Sequence, residues 1–225
     1  MIKILPGQIE ALKYIAIILM FFDHLDTIFF DYVSFFKLIG RVVYPLFVFI
    51  MVYNFIHNTK DKKQYILRLL IFAIISEPIH YFAFNDYYTQ ATLNIMFTLC
   101  IGMIGLSIFS ISSFKIKTLV FLIYAIFIYL SYKILCYSFF GVLVIFTTYF
   151  YLNKSTYLNL FFLSLSIWTL NILWDVKLSL FALLSLVIIY LISKIDINIP
   201  RVNKYVFYIF YPFHMLILKL FKILM

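Results

Sequence analysis

The sequence predicts an all-α integral membrane protein, a polytopic helical bundle, and two observations support this fold class. Of its 225 residues, 66% are hydrophobic and only 12% are charged, against about 45–50% and about 25% in soluble globular domains. A single core of this size cannot bury so many apolar side chains, so most of them must face lipid. The apolar residues also form runs close to the ~20 residues that a helix needs to cross a bilayer. A soluble protein is therefore excluded.

Cuts at charged, asparagine and proline positions divide the chain into nine apolar segments. They span residues 12–31, 35–56, 65–85, 92–113, 116–132, 134–152, 156–174, 177–195 and 205–224. The fifth and sixth segments are separated only near Lys133, so this pair is alternatively a re-entrant hairpin. Glycine and proline are scarce, at five each, and we find no internal repeat, which predicts a single integral membrane domain over residues 1–225.

The positions of lysine and arginine predict the orientation of the chain. The net charge of +9 would suggest nucleic acid as the partner of a soluble domain. Here the cations lie between apolar runs, so we expect lipid as the partner and no nucleic acid. With a cytoplasmic N-terminus, twelve of the 18 cations fall inside and five outside, Lys37 and Lys219 among the five. About nine spans with the N-terminus inside and the C-terminus outside follow.

The first segment contains three ionisable residues near the bilayer midplane: Asp23, His24 and Asp26. Charged side chains at this depth are costly and normally face the bundle interior, where they serve function. Histidine takes and returns a proton near neutral pH, and a neighbouring carboxylate orients it. We therefore expect His24 to be a general base oriented by Asp23, with Asp26 or Arg41 balancing charge. Alternatively, His24 only bonds a neighbouring helix.

Arg41 lies in the second segment, about six residues below its outer edge. One interpretation is that its side chain extends outward to lipid phosphates. The other is that Arg41 pairs with Asp23 or Asp26 and offers its planar guanidinium to a substrate oxyanion, carboxylate or phosphate. The second interpretation gives the intramembrane acids a partner and makes Arg41 a candidate catalytic residue.

The third and fourth segments contribute Glu77, His80 and Asn94 as candidates that line the site. Glu77 and His80 are three residues apart, which is half of a di-metal carboxylate motif. Such a site needs the motif twice, and the chain has only nine acidic residues, so no metal is predicted. A structural pair at the outer mouth is the alternative for these two residues, while Asn94 offers an amide there.

The ninth segment contributes Tyr211 and His214, on either side of Pro212. His214 lies near the midplane, one turn after Tyr211. Two interpretations remain open. His214 is a second catalytic group, or it satisfies the backbone carbonyl that Pro212 frees.

The motifs around these residues resemble those of the TraX family of membrane proteins. The resemblance covers residues 10–101 well and 205–220 moderately. It rests on the runs Lys13-Tyr14-Ile15-Ala16, Met20-Phe21-Phe22-Asp23-His24, Leu38-Ile39-Gly40-Arg41, Tyr44-Pro45-Leu46-Phe47, Ser76-Glu77-Pro78, Leu93-Asn94-Ile95-Met96-Phe97-Thr98 and Tyr211-Pro212-Phe213-His214.

This resemblance implies an acyltransferase in the bacterial cytoplasmic membrane. Members are associated with N-terminal acetylation of a pilin, and the family is similar to larger transmembrane acyltransferases that use an intramembrane histidine. We therefore expect transfer of an acyl group, acetyl first, from cytoplasmic acetyl-CoA to an amine or hydroxyl on the outer side, on a protein N-terminus or a glycan. Phe22 and Asp26 depart from the usual residues beside the Asp-His pair, which leaves the acceptor open.

Coenzyme A is polyanionic, so the resemblance also predicts donor-binding cations on the inner face. The two inner connections richest in cations supply Lys60, Lys62, Lys63, Arg68, Arg201 and Lys204. The alternative is that these residues only set the topology. Arg68 differs because it lies in the first turn of the third segment, where a guanidinium suits phosphate better than an ammonium does.

Two other classes of function fit the same composition. A small proton-coupled transporter would also carry Asp, His, Arg and Glu inside a bundle, although such folds usually have inverted repeats and matching broken helices. A noncatalytic assembly or immunity protein would need no aligned acid and base. Acetyl transfer remains the leading expectation.

Overall fold

A computed structural model of the chain describes residues 4–30, 35–87, 92–172 and 175–225. Eleven α-helices account for almost all regular structure in these ranges, together with one isolated bridge between Leu93 and Leu135. The predicted all-α class is confirmed. The helices are α1 (Pro6–Phe29), α2 (Phe35–Gly40), α3 (Val43–His57), α4 (Lys62–Phe84), α5 (Ile95–Ile108), α6 (Phe114–Leu130), α7 (Ser138–Asn153), α8 (Tyr157–Thr169), α9 (Val176–Ala182), α10 (Leu184–Lys194) and α11 (Lys204–Leu224).

Four helical stretches are long and apolar enough to cross a membrane: Phe35–His57, Lys62–Phe84, Val176–Lys194 and Lys204–Leu224. The chain is therefore a membrane protein. Each predicted segment coincides with one helix or with two helices separated by a short break, as in α2 and α3 or α9 and α10. The count of nine spans and the cytoplasmic N-terminus remain predictions.

Polar residues at the predicted segment edges begin several of the helices. Asp61 Oδ1 accepts a hydrogen bond from the Gln64 amide at 2.9 Å and begins α4. Asn203 Oδ1 accepts from the Tyr205 amide at 3.0 Å and begins α11. These side chains satisfy amides that have no partner within the first helical turn.

The helices α4 and α11 run in the same direction. Phe72 of α4 stacks on Tyr208 of α11, and Asp86, just after α4, pairs with Lys219 near the end of α11. Their two starts therefore lie at one end of the bundle, called the α4 end below.

The core forms where α1, α3, α4, α5, α7 and α11 pack together. Leu12, Leu46, Leu69 and Met103 are among its fully buried side chains. By contrast, α6 lies at the periphery and leaves most of its apolar side chains exposed. Exposed apolar side chains are what a helix surrounded by lipid requires.

The start of α1 is bonded to the end of α10 and to the chain that follows it. Gln8 Nε2 donates to the carbonyl oxygens of Ser193 and Ile195, at 3.2 and 2.9 Å. Gly7 allows this approach, because a Cβ atom there would lie only 1.9 Å from the Ile197 carbonyl oxygen. The connection that carries Arg201 is thereby held beside the first helix.

Two lysines counted above as outer-side cations are buried instead. Lys37 is 6% exposed, and its Nζ donates to Thr27 Oγ1 at 2.9 Å. Lys219 is 7% exposed, and its Nζ pairs with Asp86 at 2.6 Å. Each lysine has an oxygen partner on another segment, which offsets the cost of burying an ammonium. Neither is a solvated loop cation, so only three of the five outer cations bear on the orientation of the chain.

Candidate active site

A cavity of about 1970 Å³ extends between the two ends of the bundle. One is the α4 end. The other, where α3 and α7 begin and α8 ends, is called the α7 end. The cavity brings together residues that the sequence assigned to catalysis and to donor binding. Its lining includes His24, Asp23, Arg41, His80, Tyr211, Lys60, Arg68, Arg201 and Lys204.

His24 and His214 form a hydrogen-bonded pair between these ends. His24 Nδ1 lies 2.7 Å from His214 Nε2, and the two rings are parallel within 1°. His214 Nδ1 lies 2.6 Å from the Phe210 carbonyl oxygen. A carbonyl only accepts, so His214 carries its proton on Nδ1 and its Nε2 accepts from His24 Nδ1. In the neutral pair, His24 Nε2 therefore keeps a lone pair that can take a proton.

Aromatic side chains hold both rings in position. The Phe84 ring meets His24 edge-on at 5.0 Å, and the Phe210 ring stacks on His214 at 4.7 Å. The carbonyl that Pro212 leaves without a helical donor belongs to Tyr208, four residues earlier. His214 instead contacts the carbonyl of Phe210. The second interpretation of His214 above, as the partner of the freed carbonyl, therefore does not match this contact.

Asp23 contacts two cations. Its Oδ1 lies 3.5 Å from Lys37 Nζ and 3.5 Å from Arg41 Nη2. The expected pairing of Arg41 with an acid of the first segment is present, and the Arg41 side chain is 13% exposed rather than extended to lipid. Gly40 allows the close approach of α2, because a Cβ there would lie 2.3 Å from Asp23 Oδ1. The hydrogen-bond partner of His24 Nδ1 is His214 and not Asp23. Asp23 therefore acts on the site through Lys37 and Arg41, the two cations that it contacts.

Three further residues belong to this cluster: Lys37, Tyr137 and Asn171. The sequence places Lys37 among the loop cations. Arg41 Nη1 lies 3.2 Å from the Tyr137 hydroxyl and 3.5 Å from Asn171 Oδ1. Tyr137 has a φ of 58° and Ser138 one of 51°, a strained left-handed backbone for residues other than glycine. Nothing in the sequence distinguishes Tyr137 from the other tyrosines, of which the chain has 19 in all. Asn171 could have been identified, because it is a polar amide near the end of an apolar run.

Asp26, Glu77 and Asn94 lie beside the cavity and do not line it. Asp26 is fully buried. Glu77 Oε2 accepts from the Asn94 backbone amide at 2.9 Å and from Asn94 Nδ2 at 2.7 Å, which joins α4 to the start of α5. His80 lines the cavity, with Nδ1 3.9 Å from Glu77 Oε1. In the described ranges, no group of three or more His, Cys, Asp or Glu residues is arranged to hold a metal ion.

Four of the six candidate donor-binding cations line the α4 end of the cavity: Lys60, Arg68, Arg201 and Lys204. Arg68 Nη1 donates to Gln64 at 3.0 Å, and its buried Nε has no acceptor in the part of the chain that is described. Lys62 and Lys63 do not line the cavity. Lys62 Nζ instead lies 5.0 Å from the centre of the Phe55 ring. This end is strongly cationic and suits a polyanionic ligand.

Comparison with known proteins identifies one family and several curated relatives. A family model described as TraX protein matches residues 8–222. The probable fimbrial assembly protein FimC, serogroup H1, of Dichelobacter nodosus is 33% identical in a 110-residue alignment that covers 43% of this chain and 44% of that protein. Protein TraX of Escherichia coli K12 is 31% identical over 97 residues, 43% of this chain and 38% of that protein. The chain thus covers less than half the length of either relative. No solved structure matches significantly.

Proposed function

The chain belongs to the TraX family, and from this premise we propose that it is a membrane-embedded acyltransferase. It moves an acyl group, acetyl first, from acyl-CoA on the cytoplasmic side to an amine or hydroxyl of an acceptor on the outer side of a bacterial cytoplasmic membrane. One observation carries the proposal. His24, whose Nε2 is basic, lines the same cavity as the cations of the α4 end.

The proposed reaction uses His24 as general base. The acceptor nitrogen or oxygen attacks the thioester carbon while His24 Nε2 takes the acceptor's proton, so a new C–N or C–O bond forms. The C–S bond then breaks, and the coenzyme A thiolate leaves with the electron pair. The imidazolium of His24 shares its charge with His214 through the 2.7 Å hydrogen bond, and that bond also holds His24 in the tautomer that a base requires.

The cationic α4 end is the proposed donor site. Arg68, Arg201 and Lys204 would contact the phosphates of coenzyme A, for which a guanidinium gives two parallel hydrogen bonds. His24 lies further along the cavity, away from these cations. The acceptor then enters from the α7 end, so donor and acceptor approach the histidine pair from opposite sides.

The name of the D. nodosus relative refers to fimbrial assembly, and this favours a pilus subunit as acceptor class. Its amino terminus would be the attacking group. A glycan hydroxyl remains the alternative acceptor, because the chemistry at His24 is the same for an amine and a hydroxyl.

A small proton-coupled transporter is the second candidate. The feature that favours it is the extent of the cavity, which is lined from the α4 end to the α7 end. A transporter needs such a path, and intramembrane histidines serve as proton relays in some of them.

Detergent-purified protein, labelled acetyl-CoA and a peptide with a free amino terminus separate the two candidates. Acyl transfer predicts label on the peptide and one free thiol of coenzyme A for each labelled peptide. Uptake of a solute into proteoliposomes without any labelled peptide would instead support the transporter.

A further inference from the structure

Two hydrogen-bond donors at the α7 end lack acceptors among the described residues. Asn171 is 2% exposed, and its Nδ2 has no partner. Its Oδ1 accepts from Arg41 Nη1 at 3.5 Å, which fixes the amide orientation. The Tyr137 hydroxyl accepts from the same Arg41 nitrogen at 3.2 Å, so its own proton is available. Both residues line the cavity.

This arrangement is costly to maintain. A buried donor without an acceptor lowers stability. Tyr137 and Ser138 also have positive φ angles of 58° and 51°, and such strain persists where the surrounding structure imposes it, often at ligand sites. The Tyr44 ring stacks on Tyr137 at 4.7 Å and holds it toward Arg41. Two donors held in this way beside a guanidinium match an oxygen that carries negative charge.

We propose that Arg41, Asn171 and Tyr137 form a binding site for a carbonyl oxygen of the reacting molecules, or for the oxyanion formed from it. The inference rests on the proposed acyl transfer and extends it to the α7 end of the cavity. Arg41 contacts Asp23, the residue before His24 in the chain, and His24 lines the same cavity as the three residues of the oxygen site, so the site and the base belong to one centre.

Two oxygens in the reaction have this chemistry. The first is the thioester carbonyl oxygen, which becomes an oxyanion when the acceptor nitrogen attacks the carbon and reverts to a carbonyl when the C–S bond breaks. The second is a carbonyl of the acceptor itself, adjacent to the attacking amine. Asn171 and Tyr137 act by the same hydrogen bonds in both cases, and kinetics with two acceptors distinguish them.

Asn171→Asp separates ligand binding from a structural role. The new carboxylate still accepts from Arg41 but removes the Nδ2 donor and repels a negative oxygen. A structural role predicts little change in the rate of transfer to glycinamide, whereas the oxygen site predicts a loss of up to about 10²–10³-fold in that rate. Tyr137→Phe removes the second donor and should also slow transfer. Asn153→Ala and Tyr157→Phe, both at exposed positions, are the matched controls.

Acetyl transfer to glycinamide and to ethylamine identifies the source of the oxygen. If Asn171 binds the acceptor carbonyl, wild type prefers glycinamide, and Asn171→Asp removes this preference while ethylamine transfer is unchanged. If it binds the thioester oxyanion, transfer to both amines falls equally and the KM for acetyl-CoA stays constant. Rates and preferences within about twofold of wild type in Asn171→Asp and Tyr137→Phe would overturn the site.

A binding measurement separates this inference from acyl transfer itself. Thermal unfolding in detergent is followed with N-acetylglycinamide as the probe, and we expect a raised Tm for wild type and no shift for Asn171→Asp. Binding by wild type without any label transfer would retain the oxygen site and reject the transferase. Label transfer that is the same in wild type and Asn171→Asp would retain the transferase and reject the oxygen site.

Discussion

At the scale of single residues, the contact of His214 Nδ1 with the Phe210 carbonyl decides which nitrogen of His24 is basic. Sequence reasoning could find His24, Asp23 and Arg41, because charged or titratable groups within apolar segments are conspicuous. It could not find the partner on His24 Nδ1, since His214 is 190 residues away in the chain. Within the local sequence, the neighbouring Asp23 was the group expected to orient His24.

Replacing His214 by alanine should slow acyl transfer about 10–100-fold. His24 Nδ1 would lose the acceptor that fixes its tautomer, and the imidazolium would lose the group that shares its charge. Because His24 itself would remain, the loss should be smaller than in His24→Ala. The measurement is kcat in detergent, with His57→Ala, on the exposed end of α3, as control. A His214→Ala variant as active as this control would contradict the assigned tautomer.

The Asp23–Arg41 pair can be tested by a double-mutant cycle. Replacing one partner of this largely buried pair should lower stability by less than the ~3–5 kcal/mol of a fully buried pair, because Lys37 still contacts Asp23 when Arg41 is replaced. Asp23→Asn with Arg41→Gln should cost less than the sum of the single changes. Thermal or denaturant unfolding in detergent measures the three losses. Strictly additive losses would show that the 3.5 Å contact carries no coupling.

At the scale of helices, the apolar runs predicted where the elements lie, but their breaks were invisible. The run over residues 35–56 is interrupted after Gly40, where Arg41 and Val42 form short-range backbone bonds to Leu38 and Ile39. Apart from Arg41, the residues on both sides of the break are apolar, so hydropathy does not register the interruption. The break turns the Arg41 side chain toward the cavity. The interruption of the helix therefore affects the position of a site residue, and the apolar run remains long enough to cross a membrane.

Asn94→Ala should destabilise the junction of α4 and α5. Asn94 is fully buried, begins α5, and donates to Glu77 and to the Ala73 carbonyl. Losing the cap and the Nδ2 donor to Glu77 should cost about 2–4 kcal/mol by the usual magnitudes of these two effects, while the backbone amide still bonds to Glu77. Asn203→Ala removes a helix cap that is exposed, so its effect on Tm should be smaller. Equal shifts in the two variants would refute the role of the Glu77 contacts.

At the scale of the whole molecule, the cationic α4 end and the histidine pair lie along one cavity. The sequence predicted the donor cations by their inner-side position, and four of the six line the cavity. Lys62 and Lys63 do not, because their places on the first turn of α4 direct them elsewhere, Lys62 onto the Phe55 ring. Hydropathy cannot distinguish inward from outward positions within one cluster of lysines.

Arg68→Ala should raise the KM for acetyl-CoA with little change in the KM for the acceptor. The guanidinium provides phosphate contacts at the donor end, and added salt should weaken donor binding by screening. Adding Arg201→Ala should increase the effect. Lys63→Ala, which removes a cation of the same cluster outside the cavity, is the control. Unchanged donor kinetics in the Arg68, Arg201 double variant would move donor binding elsewhere.

The central claim is that His24 Nε2 is the general base of an acyl transfer, and single-turnover transfer of labelled acetyl from acetyl-CoA tests it most directly. His24→Ala is compared with wild type and with His57→Ala, each confirmed as folded by its unfolding profile. Loss of a positioned base predicts a rate about 10²–10⁴-fold below both references. A correctly folded His24→Ala protein that transfers label at the rate of His57→Ala would contradict the claim.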